Sequence, residues 1–321
     1  MPSEFALIDL IRQRVKSRND VVLGIGDDAA LLTVPYDQLL VVSTDTLNSG
    51  IHFPEDSAPE DIGYKSLAVN LSDLAAMGAT PAWASLAISL PTTDIDWLEK
   101  FLDGFFELAD EHGVQLIGGD TTQGPLSITV TAHGFVPKDQ ALRRDAAKAG
   151  DEIWVTGSIG DAAGGLAQWR AQGLQSAKLR HRLDRPTPRV NVGIALRGIA
   201  NAAIDISDGL VADLSHILHA SKVGAEIEVC RLPMSKPLLD HYPDDQTRYR
   251  LQLSGGDDYE LCFTAPAHQS LAIEQALADC DVVGTVIGHV VLGTELKCFD
   301  ENGELFEIRE KGFEHFSATI N

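Results

Sequence analysis

The sequence predicts an α/β or α+β protein with two domains. Its 321 residues are enough for two domains of ordinary size, each with its own core. Short β-branched runs alternate with helical patterns in both halves. Between them, "PKDQALRRDAAKAGD" is polar and poor in strand formers, as domain linkers are. We therefore predict an N-terminal domain over 1–148 and a C-terminal domain over 149–321.

The first half carries four strand patterns and two helical patterns. The strand patterns are "QLLVVSTDT", "ASLAISLP", "VQLIGGD" and "LSITVTAHGFV". The apolar residues of "EDIGYKSLAVNLSDLAAMGATP" follow the helical period, and Gly78 and Pro81 predict its end. We interpret Lys65 in this segment as a solvated helix residue. "IDWLEKFLDGFFELADEHG" predicts a second helix.

The second half begins with a strand, a glycine-rich turn and a helix in "DEIWVTGSIGDAAGGLAQW". "NAAIDISDGLVADLSHILHASKVG" repeats that layout, with Ser207 as the expected N-cap. "RLQLSGGDDYELCFTAP" predicts two strands joined at a Gly-Gly-Asp-Asp corner.

The composition excludes several classes of partner. A net charge of −22 argues against nucleic acid and anionic membrane surfaces, which both require basic residues. The longest uncharged stretch, 74–93, is interrupted by one glycine and two prolines and predicts no membrane span. Glu4 and Asp9 interrupt the region where a secretory signal would be apolar. Four widely spaced cysteines predict reduced core thiols, so we expect a cytoplasmic protein.

Aspartates recur where apolar strand patterns stop. Asp28, Asp45, Asp120 and Asp208 each follow such a run, and most have a glycine nearby. Any single Gly-Asp pair is explained by turn formation alone. Together, carboxylates converging on one cleft would repel each other unless divalent cations shared them. Hard oxygen ligands favour Mg²⁺, Ca²⁺ or Mn²⁺. The pattern therefore predicts a cleft with several metal ions.

Missing motifs narrow the chemistry of such a cleft. The chain has no GxxxxGK[ST] loop, no HExxH and no protein-kinase catalytic loop. If the protein transfers phosphoryl groups, metal ions must neutralise most of the phosphate charge.

Six motifs in order carry a family resemblance: "GIGDDAALL", "STDTLNSGIHF", "YKSLAVNLSDLAAMGATP", "LIGGDTT", "IDISDGL" and "SGGDDYEL". Together with "KGFEHF" near the C-terminus, they resemble the thiamine-monophosphate kinases. The resemblance implies the fold of aminoimidazole-ribonucleotide synthetase and selenophosphate synthetase, with N-terminal sheets pairing in a homodimer. It also implies direct, Mg²⁺-dependent transfer from ATP to thiamine monophosphate, without a covalent nucleophile.

The resemblance also implies roles for individual residues. The implied metal ligands are Asp28, Ser43, Thr44, Asp45, Asp73, Asp120, Asp205 and Asp208. The implied ATP contacts are Gly119, Asp120, Arg144 and Ser207. The implied substrate contacts are His52, Asp257, Asp258 and Phe313. Asp27 is expected to hold the turn before Asp28 or to bind an outer-shell water.

Three alternatives remain at this stage. A related ATP-dependent synthetase would act on another phosphorylated heterocycle. A cation-buffering protein would bind metal without turnover, although aspartates spread over about 200 residues do not form one EF-hand-like loop. A pure interaction module leaves the repeated glycine-aspartate pattern unexplained.

Overall fold

The structure, a computed structural model, describes residues 4–308 and 312–313. The chain divides into two compact units. Unit 1 comprises Met1–Leu74 and Ala79–Ala141, and unit 2 comprises Ala75–Gly78 and Leu142–Asn321. The division therefore lies between Ala141 and Leu142, whereas the sequence pattern places it after residue 148.

Among its described residues, unit 1 contains a four-stranded sheet, a short hairpin and three helices. In chain order these are α1 (Glu4–Arg14), β1 (Val21–Leu23), β2 (Leu31–Leu32), β3 (Gln38–Asn48), α2 (Pro59–Ala76, its last two residues in unit 2), β4 (Thr80–Leu90), α3 (Ile95–Glu111), β5 (Gln115–Gln123) and β6 (Ser127–Pro137).

The main sheet of unit 1 has the order β3-β6-β4-β5. β6 is antiparallel to both β3 and β4, and β4 is parallel to β5. Residues with small or β-branched side chains, such as Val130 and Ala132, are fully buried on one face. Asp94 caps α3, since its carboxylate accepts from the amide of Trp97 at 3.1 Å, and the helix buries an apolar stripe including Phe101 and Phe105.

Two of the four aspartates predicted to end strands lie inside strands instead. Asp45 is in the middle of β3, and Asp120 lies within β5, which continues to Gln123. The prediction was wrong here because polar residues end a strand only when the backbone ladder also ends. The ladder between β3 and β6 continues as far as Asn48.

Unit 2 contains a six-stranded sheet and seven α-helices among the described residues, together with short 3₁₀ turns. In chain order its elements are β7 (Asp151–Thr156), α4 (Asp161–Arg170), α5 (Ala177–Asp184), α6 (Val190–Ala195), β8 (Ala202–Asp205), α7 (Leu210–Ser221), β9 (Gly224–Glu228), α8 (Lys236–His241), α9 (Asp245–Ser254), β10 (Leu261–Pro266), α10 (Ser270–Asp279), β11 (Gly284–Val291) and β12 (Leu296–Phe299).

The sheet of unit 2 has the order β12-β9-β11-β7-β10-β8, antiparallel except for the β9–β12 pair. Its core contains apolar strand residues such as Ile153 and Ile204. They share the core with residues of α7, such as Leu214 and Ile217. The core therefore lies between α7 and the sheet.

The stretch "RLQLSGGDDYELCFTAP" forms a helix and a strand, not the two predicted strands. "RLQLS" is the end of α9, and the strand β10 starts only at Leu261. The alternation of polar and apolar letters imitates a strand. Arg248, Leu251 and Gln252 are nevertheless buried together at helical spacing. Asp244 caps this helix by accepting from the amide of Thr247 at 2.8 Å.

The cysteine prediction is confirmed only in part by the geometry. All four cysteines are free, but only Cys262 and Cys298 are buried, and Cys230 is exposed. Within residues 4–308 and 312–313, no helix has the length and apolar character that crossing a membrane requires.

Candidate active site

The loop between β1 and β2 presents two aspartates with different roles. The amide of Asp28 donates to Oδ1 of Asp27 at 2.8 Å, so Asp27 holds the turn. The side chain of Asp28 is on the exposed surface of this loop. Both aspartates are exposed, and the hydrogen bond accepted by Asp27 is what distinguishes the two.

β3 and α2 bring three predicted metal ligands to one face of the unit 1 sheet. Ser43 and Asp45 are paired with the buried Ala132 and Val130 of β6, and paired residues share a face. On that face, Oγ of Ser43 donates to Oδ2 of Asp73 on α2. This contact fixes the end of the Asp73 side chain beside β3.

Thr44 points away from this group. Its neighbours Ser43 and Asp45 occupy the other face, and its Oγ1 lies 2.9 Å from Oγ1 of Thr131 on β6. Side chains alternate along a strand, so Thr44 cannot place its hydroxyl beside Asp45. The main-chain carbonyl of Thr44, in the peptide bond to Asp45, is the Thr44 oxygen that remains near Asp45.

The donors on the α2 face fit a hard divalent cation. Carboxylate and hydroxyl oxygens are what Mg²⁺ prefers. One turn before Asp73, Asn70 is fully buried, and its Oδ1 accepts no hydrogen bond. Among the described residues, no three His, Cys, Asp or Glu side chains form a ready metal-binding group. The magnesium ligand set therefore stays a prediction.

Asp120 lines a large cavity in unit 1. The cavity has a volume of about 1090 Å³ and is bounded by Thr121, Thr122 and the loop that leads into α3. That volume is sufficient for a nucleotide. The preceding Gly119 has φ +153°, and a Cβ atom there would lie 1.7 Å from the carbonyl oxygen of Leu86. Close packing on β4 thus requires this glycine.

His52 lies in a tight turn after β3. The amide of Asn48 donates to Nδ1 of His52 at 2.9 Å, and the amide of His52 donates to the carbonyl of Asn48 at 3.0 Å. Because Nδ1 is an acceptor, the neutral ring carries its proton on Nε2.

Lys65 is buried, which overturns its interpretation as a solvated residue. It is 1% exposed, and its Nζ donates to the carbonyl of His52 at 2.9 Å. The helical period alone does not distinguish a lysine on the solvent side from one that reaches an inward carbonyl. The sequence offers no signal for this contact.

Backbone hydrogen bonds join two loops of unit 2. The amide of Asp257 donates to the carbonyl of Ser207 at 2.9 Å, and that of Tyr259 to the carbonyl of Ile206 at 2.8 Å. A Cβ atom on Gly256 would lie 2.3 Å from the Ser207 carbonyl, so only glycine allows this approach.

Phe313 is hydrogen-bonded to one of these two loops. Its amide donates to the carbonyl of Asp208 at 3.0 Å, and its side chain is about half exposed. The structure thus brings together, within unit 2, six residues singled out from the sequence: Asp205, Ser207, Asp208, Asp257, Asp258 and Phe313.

Asp213, which the sequence reading missed, organises the loop before α7. Its Oδ2 accepts from the amides of Ser207, Asp208 and Gly209, each at 3.1 Å. Ser207 is therefore not the N-cap; Gly209 occupies that position and Asp213 replaces the capping side chain. Burial and the nearby Asp208 charge raise the pKa of Asp213 to about 7, against the effect of the three amides.

The neighbours Asp257 and Asp258 have separate environments. Asp258 is 1% exposed and accepts from the amide of Gly160 at 2.7 Å. Burial raises its pKa well above that of an ordinary aspartate. Asp257 is half-buried and has a left-handed backbone with φ +68°. Of the two, Asp257 is the more exposed.

Glu260 forms a buried charge cluster that the sequence reading also missed. It is fully buried; Arg189 donates to both of its oxygens at 2.6 Å, and Arg182 donates at 2.9 Å. Thr156 adds a hydrogen bond at 2.7 Å. Because the carbonyl of Glu260 also accepts from the amide of Ile206, the cluster holds the loop that follows Asp205 and carries Asp208.

Arg144 lies at the other end of α7 from Ser207. Its carbonyl accepts from Oγ of Ser221, the last residue of α7, at 2.8 Å. A twelve-residue helix is about 18 Å long. The backbones of these two predicted ATP contacts, Arg144 and Ser207, are therefore separated by the length of α7. The side chain of Arg144 is exposed.

Both domain models of one protein class match this chain. The N-terminal domain of AIR synthase related proteins matches residues 26–136, and the C-terminal domain matches residues 148–301. The chain is thus an AIR synthase related protein with both domains of that class.

Full-length relatives identify the family within this class. A thiamine-monophosphate kinase of Escherichia coli K12 is 52% identical over 98% of both chains. A crystal structure of thiamine-monophosphate kinase from Stenotrophomonas maltophilia K279a is also 52% identical. It has a TM-score of 0.88 and covers 95% of this chain and 98% of that chain. This chain belongs to the thiamine-monophosphate kinase family.

A more distant structure carries ligands. It is described as AaThiL complexed with AMPPCP and TMP, is 31% identical, and has a TM-score of 0.78. It covers 98% of this chain and 97% of that chain. The fold predicted from the motifs is confirmed by these matches.

Proposed function

We propose that this chain transfers the terminal phosphoryl group of ATP directly to the phosphate of thiamine monophosphate, which gives thiamine diphosphate and ADP. As a member of its family it is a kinase, and its relatives are thiamine-monophosphate kinases. The assignment of these two substrates is supported by the homologue complexed with AMPPCP and TMP. We further propose that transfer is in-line and metal-assisted.

The acidic residues fit the charge problem of this reaction. Two phosphorylated substrates enter a protein with a net charge of −22, so their repulsion must be offset. Mg²⁺, when bound, neutralises the phosphates and stabilises charge on the transferred group. We propose that Asp28, Ser43, Asp45, Asp73 and Asp120 hold Mg²⁺ in unit 1 and that Asp205 and Asp208 hold Mg²⁺ in unit 2; for Thr44, only the carbonyl is proposed.

The remaining residues bind and orient the two substrates. We propose that the cavity beside Gly119 and Asp120 receives ATP. The Nε2–H of His52 would donate to the acceptor phosphate. Asp257 would face the cationic thiazolium, and Phe313 would pack on a ring. Since direct transfer requires positioning and charge stabilisation, no side chain has to act as a nucleophile.

The test is product analysis with purified protein, ATP and Mg²⁺, with and without thiamine monophosphate. We expect ADP release to depend on the acceptor, with an equal amount of thiamine diphosphate by chromatography. An Asp45→Ala preparation controls for contaminating kinases. ADP without acceptor, or no turnover, would contradict the proposal and favour another ATP-dependent reaction of the AIR synthase class.

We also propose that two copies form a homodimer through the unit 1 sheet. β3 is an edge strand, and its outer face exposes Leu40 (44%) and Val42 (52%) beside Thr44 and Thr46. An exposed apolar edge is unfavourable in a monomer. Light scattering should give twice the chain mass; Val42→Asp should halve it, and the exposed unit 2 variant Leu271→Asp should not.

The location proposed for the enzyme is the cytoplasm. All four cysteines are free, which suits a reducing compartment. Cell fractionation with an antibody to the chain would contradict this if the protein were recovered from the membrane fraction.

A further inference from the structure

Lys65 occupies an unusual position for a lysine. It lies within α2 and is 1% exposed, so its ammonium group is enclosed by the protein. A buried ammonium group is unfavourable unless it is hydrogen-bonded. Its bond to the carbonyl of His52, at 2.9 Å, supplies one such partner.

The turn that Lys65 contacts is ordered by its own backbone. The amide of Ile51 donates to Asn48 at 3.2 Å, and the amide of Gly50 donates to Phe53 at 3.0 Å. Phe53 is 4% exposed and anchors the end of the turn. These bonds fix the turn's shape but do not join it to α2.

α2 therefore contacts or carries two predicted functional residues, Asp73 and His52. Its Asp73 touches Ser43 on β3, and eight residues earlier its Lys65 touches His52. Eight residues of helix span about 12 Å. The Lys65 bond thus sets where the imidazole stands relative to the aspartate.

We infer that Lys65 is a positioning residue, which holds His52 so that its Nε2–H points to the phosphate of the acceptor. This inference rests on the proposed function, in which His52 contacts thiamine monophosphate. Lys65 acts through the His52 carbonyl and does not itself touch either substrate. Its loss should therefore affect the acceptor and not ATP.

A double-mutant cycle tests the inference through the Michaelis constants of both substrates. Lys65→Met keeps the aliphatic stem and removes the donor. We expect it to raise KM for thiamine monophosphate about tenfold and to leave KM for ATP within about twofold. In a His52→Ala background, the same change should add less than about twofold. Lys100→Met, on the exposed face of α3, is the charge-matched control and should change neither constant.

The outcomes separate this inference from the proposed function. Equal effects on both substrates, or additive effects of the two variants, would overturn the positioning role. If His52→Ala raises KM for the acceptor and Lys65→Met does not, only the role of Lys65 fails. If His52→Ala leaves that KM unchanged, the substrate contact fails, and the Lys65 inference fails with it.

A spectroscopic readout covers the case in which Lys65→Met does not fold. Nitrogen-15 NMR of the wild-type imidazole should show an unprotonated Nδ1 and a protonated Nε2 for His52. In Lys65→Arg, which retains a donor, the same tautomer and an acceptor KM within about threefold of wild type are expected. A protonated Nδ1 in the wild type would overturn the inference.

Discussion

The acids of unit 1 and those of unit 2 are used differently. In unit 1, Asp28 and Asp120 are exposed, and Asp45 is only half-buried. In unit 2, Asp213, Asp258 and Glu260 are buried and accept hydrogen bonds from backbone or arginine donors. The same residue types thus present oxygen atoms outward at Asp28, Asp45 and Asp120 and hold loops at Asp213, Asp258 and Glu260.

This difference teaches how to interpret an acidic protein. A net negative charge does not reveal which carboxylates serve a ligand, because a buried acid with donors is part of the scaffold. Exposure and hydrogen-bond partners separate the two groups. Variants of the first group should lose turnover, and variants of the second should lose stability.

The largest expected effect comes from the outward-facing group. Asp45→Ala should reduce kcat by about a thousandfold or more, because it removes a carboxylate that we propose binds metal beside the transferred phosphate. Circular dichroism and the thermal midpoint should stay near wild type. Thr46→Val, one residue along β3 but on the opposite face, is the matched control. Turnover near wild type for Asp45→Ala would remove Asp45 from the metal site.

Glu260→Gln should have the largest effect on stability. Without the carboxylate, Arg182 and Arg189 keep their charges with no buried counter-ion, so the free energy of unfolding should fall by about 3–5 kcal/mol. Urea denaturation measures it. The exposed pair Lys236–Asp240 is the control, and Asp240→Asn should change stability by about 1 kcal/mol at most. Equal effects of both variants would show that Glu260 is not part of the scaffold.

Asp258→Asn should change how stability depends on pH. Burial raises the folded-state pKa of Asp258 above the ordinary 3.8. Between those two pKa values the unfolded chain releases a proton that the folded chain retains. Wild-type stability therefore falls as pH rises, by at most about 1.4 kcal/mol per pH unit.

Asparagine cannot ionise, so Asp258→Asn should gain stability relative to wild type as the pH rises above about 4. Urea unfolding at several pH values measures the difference, with Asp9→Asn on α1 as an exposed control. A difference that stays constant with pH would contradict the raised pKa.

The smallest effect is expected for Asp27→Ala. Its carboxylate supports the turn through the amide of Asp28, so its loss should reduce kcat less than about tenfold. Asp28→Ala, tested beside it, should reduce kcat by orders of magnitude. If both aspartates had equal effects, the assignment of one to the turn and the other to the ligand would be wrong.

The sequence by itself determined the class of fold, the family and most element positions. The strands and helices around β3, α2 and α7 follow from periodicity, since the side chains of these elements have one buried face. The motifs also singled out Asp205, Ser207, Asp208, Asp257 and Phe313, which the structure brings together in unit 2. Local pattern suffices where neighbouring residues share one environment.

Only the tertiary structure decided which groups are scaffold. The end of α9 was mistaken for a strand because polar and apolar residues alternate there, although the polar Gln252 is buried. Lys65, Asp213 and Glu260 depend on partners that come from other turns or other elements. The face of Thr44 depends on the register with β6. The free energy of a buried polar group is set by the donors and acceptors that folding places around it, and no stretch of sequence contains that information.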